Sequence, residues 1–155
     1  VSRNTNISNS ATLGGFLSSH DEDSFVDILI NEKGKTEAEA LNLDQPCIFF
    51  KDDEVYISGS PWSGKEDCYK NKQVPLKAIF FVEQAPENTV QKMSVAESFS
   101  HLYLNNYLVP FDNEMEKNHQ NAVIRLASNV PVYRLKCTIS KEAVEVAHNI
   151  VFNNK

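Results

Sequence analysis

The chain has 155 residues, with 15 lysines and arginines against 21 aspartates and glutamates, and a formal net charge of −6. This length predicts one domain with a single buried core, and the near-average composition excludes wholesale disorder. Net acidity argues against nucleic acid and acidic membranes as partners, because phosphate binding requires clustered lysines and arginines. No apolar run approaches the roughly 18 residues of a membrane helix.

The three cysteines are odd in number and widely spaced, at Cys47, Cys68 and Cys137. No C-x-x-C motif occurs, so the pattern supports neither a zinc ribbon nor a redox pair. It is typical of reduced thiols, and we therefore expect a cytoplasmic protein.

The first third of the chain has weak secondary-structure signals. Residues 1–10 are polar and aperiodic and are expected to be a disordered lead-in to a domain that spans residues 11–155. Residues 11–17 are apolar with two glycines and predict a strand, and a helix is expected to begin near Phe25. Residues 35–41 are charged and alanine-rich, which is typical of a loop or a helical turn.

The remaining elements have clearer signals. Two β-favouring runs, 47–50 and 55–58, flank four polar residues and predict a hairpin. Residues 76–82 are apolar on nearly both faces and predict a central strand. Ser94 and Glu97 have the spacing of a capping box and predict a helix start.

Apolar periodicity predicts three further elements towards the carboxyl end. A second helix is expected over roughly 112–128, a strand over 130–137, and a last helix capped by Ser140. We therefore expect a single α/β domain, with a mixed β-sheet and flanking helices.

Residues 59–66 read Gly-Ser-Pro-Trp-Ser-Gly-Lys-Glu and fit the G-x-x-x-x-G-K pattern of phosphate-binding loops. The next position must be serine or threonine to hold magnesium, and here it is Glu66. No helix is expected to begin there and direct its amides at phosphate, because the stretch up to Pro75 has no apolar stripe. The motif indicates a loop that shapes a site rather than a Walker A sequence.

Other common site patterns are not supported. The acidic run at residues 21–23 has calcium-loop spacing, but Phe25 and Val26 stand where a ligand and a glycine are needed. The four histidines have no zinc-site spacing, and no G-x-S-x-G elbow is present.

Three blocks of the sequence occur in the order of a known family: 59–65 (GSPWSGK), 74–88 (VPLKAIFFVEQAPEN) and 130–137 (VPVYRLKC). Together they resemble the bacterial proteins that share the nucleotide-binding fold of HPr kinase and ATP-dependent phosphoenolpyruvate carboxykinase. The resemblance covers residues 47–152 and implies their P-loop fold. Typical members have more sequence before the P-loop, so we expect a fold truncated at the N-terminus. A homodimer would be one way to cover a sheet edge exposed in this way.

The resemblance also implies where a nucleotide site would lie. Family members carry an upstream A-P-S-G-T-G-K-S loop and an N-D-D or N-x-D strand end that helps hold magnesium. The family spacing places the loop on residues 17–24, including Ser19, and the strand end on residues 42–46. The required glycine is then Glu22 and the required lysine is Asp23. The two expected magnesium partners, Ser24 and Asp44, are retained.

These replacements reverse the charge of the loop. Lysine to aspartate changes the local charge by −2, and Glu22 adds a further −1. At about 4 Å and an effective dielectric near 20, each unit charge pair is worth roughly 4 kcal/mol. Attraction for a polyphosphate therefore becomes repulsion, and a side chain at the glycine position adds a steric penalty.

The sequence thus predicts a kinase-like domain with a degenerate phosphate-binding loop, which binds a peptide or protein partner and holds no cofactor tightly. The alternative is an active ATP-dependent serine kinase on a small protein or peptide, or a carboxykinase-like phosphotransferase. That alternative requires Mg·ATP, with Asp44 and Lys65 as catalytic residues.

The resemblance further implies that the loop containing Trp62, Ser63, Gly64 and Lys65 lines a cleft. Packing of Trp62 against the hairpin remains open as the other interpretation. Arg134 lies on an otherwise apolar strand, and we expect it on the solvent face of the sheet rather than in the cleft.

Overall fold

A computed structural model describes residues 2–7, 11–16, 38–42, 45–62, 70–106, 112–138 and 140–152. These ranges contain nine strands and three helices in a mixed α/β arrangement. The strands are β1 (Ser2–Ile7), β2 (Ala11–Phe16), β3 (Ala38–Asn42), β4 (Cys47–Lys51), β5 (Glu54–Ser58), β6 (Gln73–Pro75), β7 (Ala78–Gln84), β8 (Thr89–Lys92) and β9 (Val132–Cys137). The helices are α1 (Val95–Leu104), α2 (Asn113–Asn129) and α3 (Lys141–Phe152).

The strands form two sheets. The larger has the order β3-β1-β2-β7-β9-β8, and the smaller has the order β4-β5-β6. Strand β7 lies parallel to β2 on one side and to β9 on the other, whereas the outer pairs β1·β2, β1·β3 and β8·β9 are antiparallel. The predicted central strand is therefore confirmed, two residues later than expected. Burial of its first four residues explains why the sequence is apolar on both faces there.

The large sheet is packed on both faces. On one face, β7 and β9 pack with α1, α2 and the small sheet around a cluster that includes Phe81, Leu102 and Leu126. On the other face, α3 packs against a second cluster that includes Phe80 and Leu135. The alternation of side chains along a strand separates Phe80 from Phe81 in this way.

The local start and turn signals are confirmed. Ser94 Oγ accepts from the Glu97 amide at 3.3 Å, and Glu97 Oε2 accepts from the Ser94 amide at 2.9 Å, which completes the capping box of α1. The hairpin of β4 and β5 has a two-residue turn, shorter than the expected four. Both turn residues, Asp52 and Asp53, have positive φ, as a type I′ turn requires.

Several expectations for the first third of the chain were wrong or lie outside the described residues. The proposed disordered lead-in contains β1, which pairs with both β2 and β3. Residues 35–41 were expected to be a loop or helical turn, but residues 38–41 of that segment lie in β3. The helix expected near Phe25 lies outside the described residues.

The capping box makes the stability of the fold depend on pH. Hydrogen bonds from the Ser94 amide and hydroxyl hold the pKa of Glu97 below its ordinary value. A lowered pKa stabilises the folded state above the unfolded-state pKa, and this stabilisation is lost as pH falls through about 4 and below. Glutamine preserves the capping geometry without a titrating group. Urea unfolding between neutral and acidic pH should therefore show a shallower pH dependence in Glu97→Gln, and an unchanged dependence would contradict this role.

Candidate functional site

Only one of the residues predicted to carry function lies within the described part of the chain. That residue is Trp62. The others lie outside it: Ser19, Glu22, Asp23, Ser24, Asp44, Ser63, Gly64 and Lys65. The described residues nevertheless include the chain segments that flank Asp44 and that lead into the Trp62 loop.

A hydrogen-bonded junction joins these two segments. The Asn42 side-chain amide donates to the Ser60 carbonyl at 2.9 Å and to the Trp62 carbonyl at 3.3 Å. The Gln45 amide donates to the same Trp62 carbonyl at 3.3 Å, and the Ser60 hydroxyl donates to the Gln45 carbonyl. We call these four residues the Asn42–Trp62 junction. It joins the end of β3 and the segment before β4 to the loop that follows β5.

The junction is buried around Asn42 and Ser60. Buried polar groups are costly unless they are hydrogen-bonded, and here each supplies the partner of the other. The Ser60 carbonyl and the Trp62 carbonyl and amide are thereby fixed. The side-chain N–H groups of Asn42 bind these carbonyls, so Asn42 holds the loop backbone in position.

Next to the junction, the backbone of Gly59 lies close to the backbones of Leu41 and Lys70. The Lys70 amide donates to the Leu41 carbonyl at 2.9 Å, and the Gly59 amide donates to the Lys72 carbonyl at 3.4 Å. A Cβ on Gly59 would overlap the Lys70 carbonyl oxygen and would lie 3.0 Å from the Leu41 carbonyl oxygen. Only glycine fits between these groups, so Gly59 fixes where the loop leaves β5.

The Trp62 side chain itself is 63% exposed. Most of its surface is therefore not covered by the hairpin. An exposed indole on a fixed backbone is unusual, because tryptophan is highly buried on average. The arrangement is typical of an aromatic group presented to a binding partner.

Removing the Asn42 side chain should loosen this loop. In Asn42→Ala, the Ser60 carbonyl loses its Asn42 donor and the Trp62 carbonyl keeps the bond from the Gln45 amide, which together should lower the free energy of unfolding by about 1–3 kcal/mol. Trp62 is the single tryptophan of the sequence, so its fluorescence anisotropy reports on the loop alone. We expect lower anisotropy in Asn42→Ala than in the wild type at temperatures where both are folded. Glu87→Ala, an exposed change elsewhere, serves as the control and should leave the signal unaltered.

A second polar cluster lies between α1 and β9, and sequence reasoning missed it. Arg134 lies beside α1, not on the solvent face of the sheet, so that expectation was wrong. Its Nη2 is 3.3 Å from His101 Nε2 and its Nε is 3.1 Å from Glu83 Oε1. The His101 contact joins α1 to the sheet, and Glu83 of the neighbouring strand β7 pairs its charge with Arg134.

The residues at which the resemblance places a phosphate loop, 17–24, lie outside the described part of the chain. In the described ranges no group of three or more His, Cys, Asp or Glu side chains is placed to hold a metal ion. None of the described helices is long and apolar enough to cross a membrane.

Comparison with known proteins adds no assignment. No family model matches the chain, and no curated protein matches it.

Proposed function

We propose that this chain is a kinase-like domain of the HPr kinase and phosphoenolpyruvate carboxykinase type whose phosphate-binding loop is degenerate. It acts by binding a peptide or protein partner rather than by transferring phosphate. The observation that carries the proposal is the exposed Trp62 side chain on a backbone fixed by Asn42, Gln45 and Ser60.

Two physical arguments support a binding role for Trp62. Tryptophan supplies a large contact area, and interface residues that contribute most to affinity are enriched in it. Fixing the backbone before binding removes part of the entropy cost of ordering a loop. The resemblance of residues 59–65 to the cleft loop of the family agrees with this use.

The loss of phosphoryl transfer rests on the residues at 22 and 23. A phosphate cradle needs a glycine backbone and a cation, and the chain has two carboxylates there. The alternative, an active serine kinase or carboxykinase-like enzyme using Asp44 and Lys65, requires Mg·ATP to bind despite this charge. A measurement of nucleotide binding therefore distinguishes the partner-binding domain from the active enzyme.

A thermal-shift assay with and without Mg·ATP tests the loss of nucleotide binding. A ligand at 100 times its Kd adds about 2.7 kcal/mol of stability, and we expect no such shift with millimolar Mg·ATP. The double variant Glu22→Gly, Asp23→Lys restores the family residues and should gain a shift. A clear shift in the wild type would instead support the enzyme.

Selection of random linear peptides displayed on phage tests partner binding. Peptides enriched on the wild-type protein should lose at least about tenfold in affinity on Trp62→Ala, which removes a central contact. Trp62→Phe keeps an aromatic ring and should retain more of the affinity. Peptides that bind Trp62→Ala as tightly as the wild type would contradict a role for this loop.

A further inference from the structure

A histidine and an arginine meet where α1 packs against the large sheet. Arg134 Nη2 of β9 lies 3.3 Å from His101 Nε2. The His101 ring also lies against Phe81 of β7, with 4.9 Å between the ring centres. An arginine guanidinium has only donors and cannot be deprotonated in a protein. His101 Nε2 must therefore be the acceptor, which requires a neutral ring whose proton is on Nδ1.

Arg134 depends on this acceptor. Its Nε is buried, and among the described residues no hydrogen-bond acceptor is aligned with that nitrogen. Glu83 Oε1 lies 3.1 Å from the same Nε and forms an ion pair with it. The His101 ring therefore supplies a hydrogen bond to the guanidinium, and this bond joins the last turn of α1 to β9.

Protonation of the ring removes this bond. Both nitrogens of a charged histidine are donors, so His101 Nε2 can no longer accept from Arg134. The two groups would then be like charges in contact. Histidine is the side chain whose charge ordinarily changes between about pH 5 and 8. The contact can therefore exist on only one side of that change.

Helix α1 offers the protonated ring another partner. Glu97 precedes His101 by four residues, a spacing that places both on one helix face. Hydrogen bonds from Ser94 lower the pKa of Glu97, and the charges of Arg134 and His101 lower it further. Both capping bonds use Oε2, so Oε1 can accept from His101 while the capping box stays intact. The helix dipole also favours a cation in the last turn of α1.

The other charged groups near this position do not favour one state of the ring. The charged and titratable residues on the elements around His101 are Glu97, Glu116, His119, Glu83, Arg134 and Lys136. Of these, Glu116 and His119 of α2 contact Tyr103. The remaining four are two carboxylates and two cations. Gln91 of β8, which lies opposite Arg134, is uncharged.

We infer that His101 is a pH-dependent switch between α1 and the sheet. The neutral ring binds Arg134 and holds the last turn of α1 on β9, and the protonated ring leaves Arg134 for Glu97 and releases that turn. Leu102 is 1% exposed and keeps the helix in the core in both states, so the change is confined to the last turn. The switch lies apart from the Trp62 loop and does not depend on the proposed function.

NMR of the full chain at about pH 8 and about pH 5.5 tests the switch. At the higher pH the His101 ring, assigned by its absence in His101→Gln, should carry its proton on Nδ1. At the lower pH it should gain nuclear Overhauser contacts to the Glu97 side chain. Hydrogen exchange of the Leu104 and Asn105 amides, corrected for the intrinsic effect of pH, should then be at least about threefold faster.

Two variants serve as matched controls. His101→Gln cannot titrate, and Arg134→Met removes the like charge but keeps a long side chain. The corrected exchange of the two amides should be the same at both pH values in each variant. If Arg134→Met does not fold, the wild-type ring and His101→Gln still decide the question.

Three results would overturn the inference. A proton on Nε2 at about pH 8 would leave the ring unable to accept from Arg134. Equal corrected exchange at both pH values in the wild type would make the contact purely structural. The same pH dependence in His101→Gln as in the wild type would assign the opening to another titrating group.

Discussion

Replacing Gly59 with alanine should lower the free energy of unfolding by about 3 kcal/mol or more, at the upper end of overpacking effects. The added Cβ would overlap the Lys70 carbonyl oxygen and approach that of Leu41. Both are backbone atoms that already accept hydrogen bonds, the Leu41 carbonyl from the Lys70 amide and the Lys70 carbonyl from the Lys72 amide. Neither oxygen can move by a change of rotamer. The end of β3 and the start of the loop after β5 must therefore move apart.

Urea unfolding followed by far-ultraviolet circular dichroism measures this loss. Ser58→Ala, one residue earlier on the outer face of the small sheet, is the matched control and should change stability by less than about 0.5 kcal/mol. Gly59→Ala should also alter Trp62 fluorescence, because the loop exit is displaced. A variant as stable as Ser58→Ala would show that the two backbones do not approach closely at Gly59.

The second large effect is expected at Phe80 on the central strand. Phe80 is 1% exposed, and its ring stacks on Tyr133 at 5.2 Å between centroids. Phe80→Ala should cost about 3–5 kcal/mol, from lost burial and from the cavity beneath α3. Phe80→Leu fills most of the space and should cost less than half as much.

Thermal and urea unfolding of both Phe80 variants provide the comparison. Trp62 lies in the loop next to the small sheet, away from the cluster that contains Phe80. Its fluorescence in the folded Phe80→Leu protein should therefore equal that of the wild type. Equal stability of the alanine and leucine variants would contradict close packing of α3 on β7.

Elements with strong local signals could be predicted from the sequence. The capping box at Ser94, the hairpin of residues 47–58 and the apolar strand β7 each depend on neighbouring residues alone. Strand β3 could not be predicted in the same way. Its sequence, Ala-Glu-Ala-Leu-Asn, favours a helix locally. Pairing with β1 overrides that preference.

In the candidate site, too, local sequence signals could be read, whereas contacts between distant residues could not. The sequence motif predicts a site at Trp62 and its loop, because proline, glycine and tryptophan are a distinctive combination, and this stays a prediction. The Asn42–Trp62 junction left no such signal, since Asn42 binds backbone carbonyls 18 and 20 residues away. Any residue presents a carbonyl, so such a contact has no pattern in the sequence. The position of Arg134 was missed because the strand pattern does not show which face α1 covers.

We propose that the chain is a kinase-like domain that binds a partner and does not bind nucleotide. Isothermal titration calorimetry of the full chain with Mg·ATP tests it most directly, with the Glu22→Gly, Asp23→Lys variant measured in parallel. The predicted result is no saturable heat for the wild type and measurable binding for the variant. Stoichiometric binding of Mg·ATP to the wild type with micromolar affinity, near −8 kcal/mol, would contradict the claim.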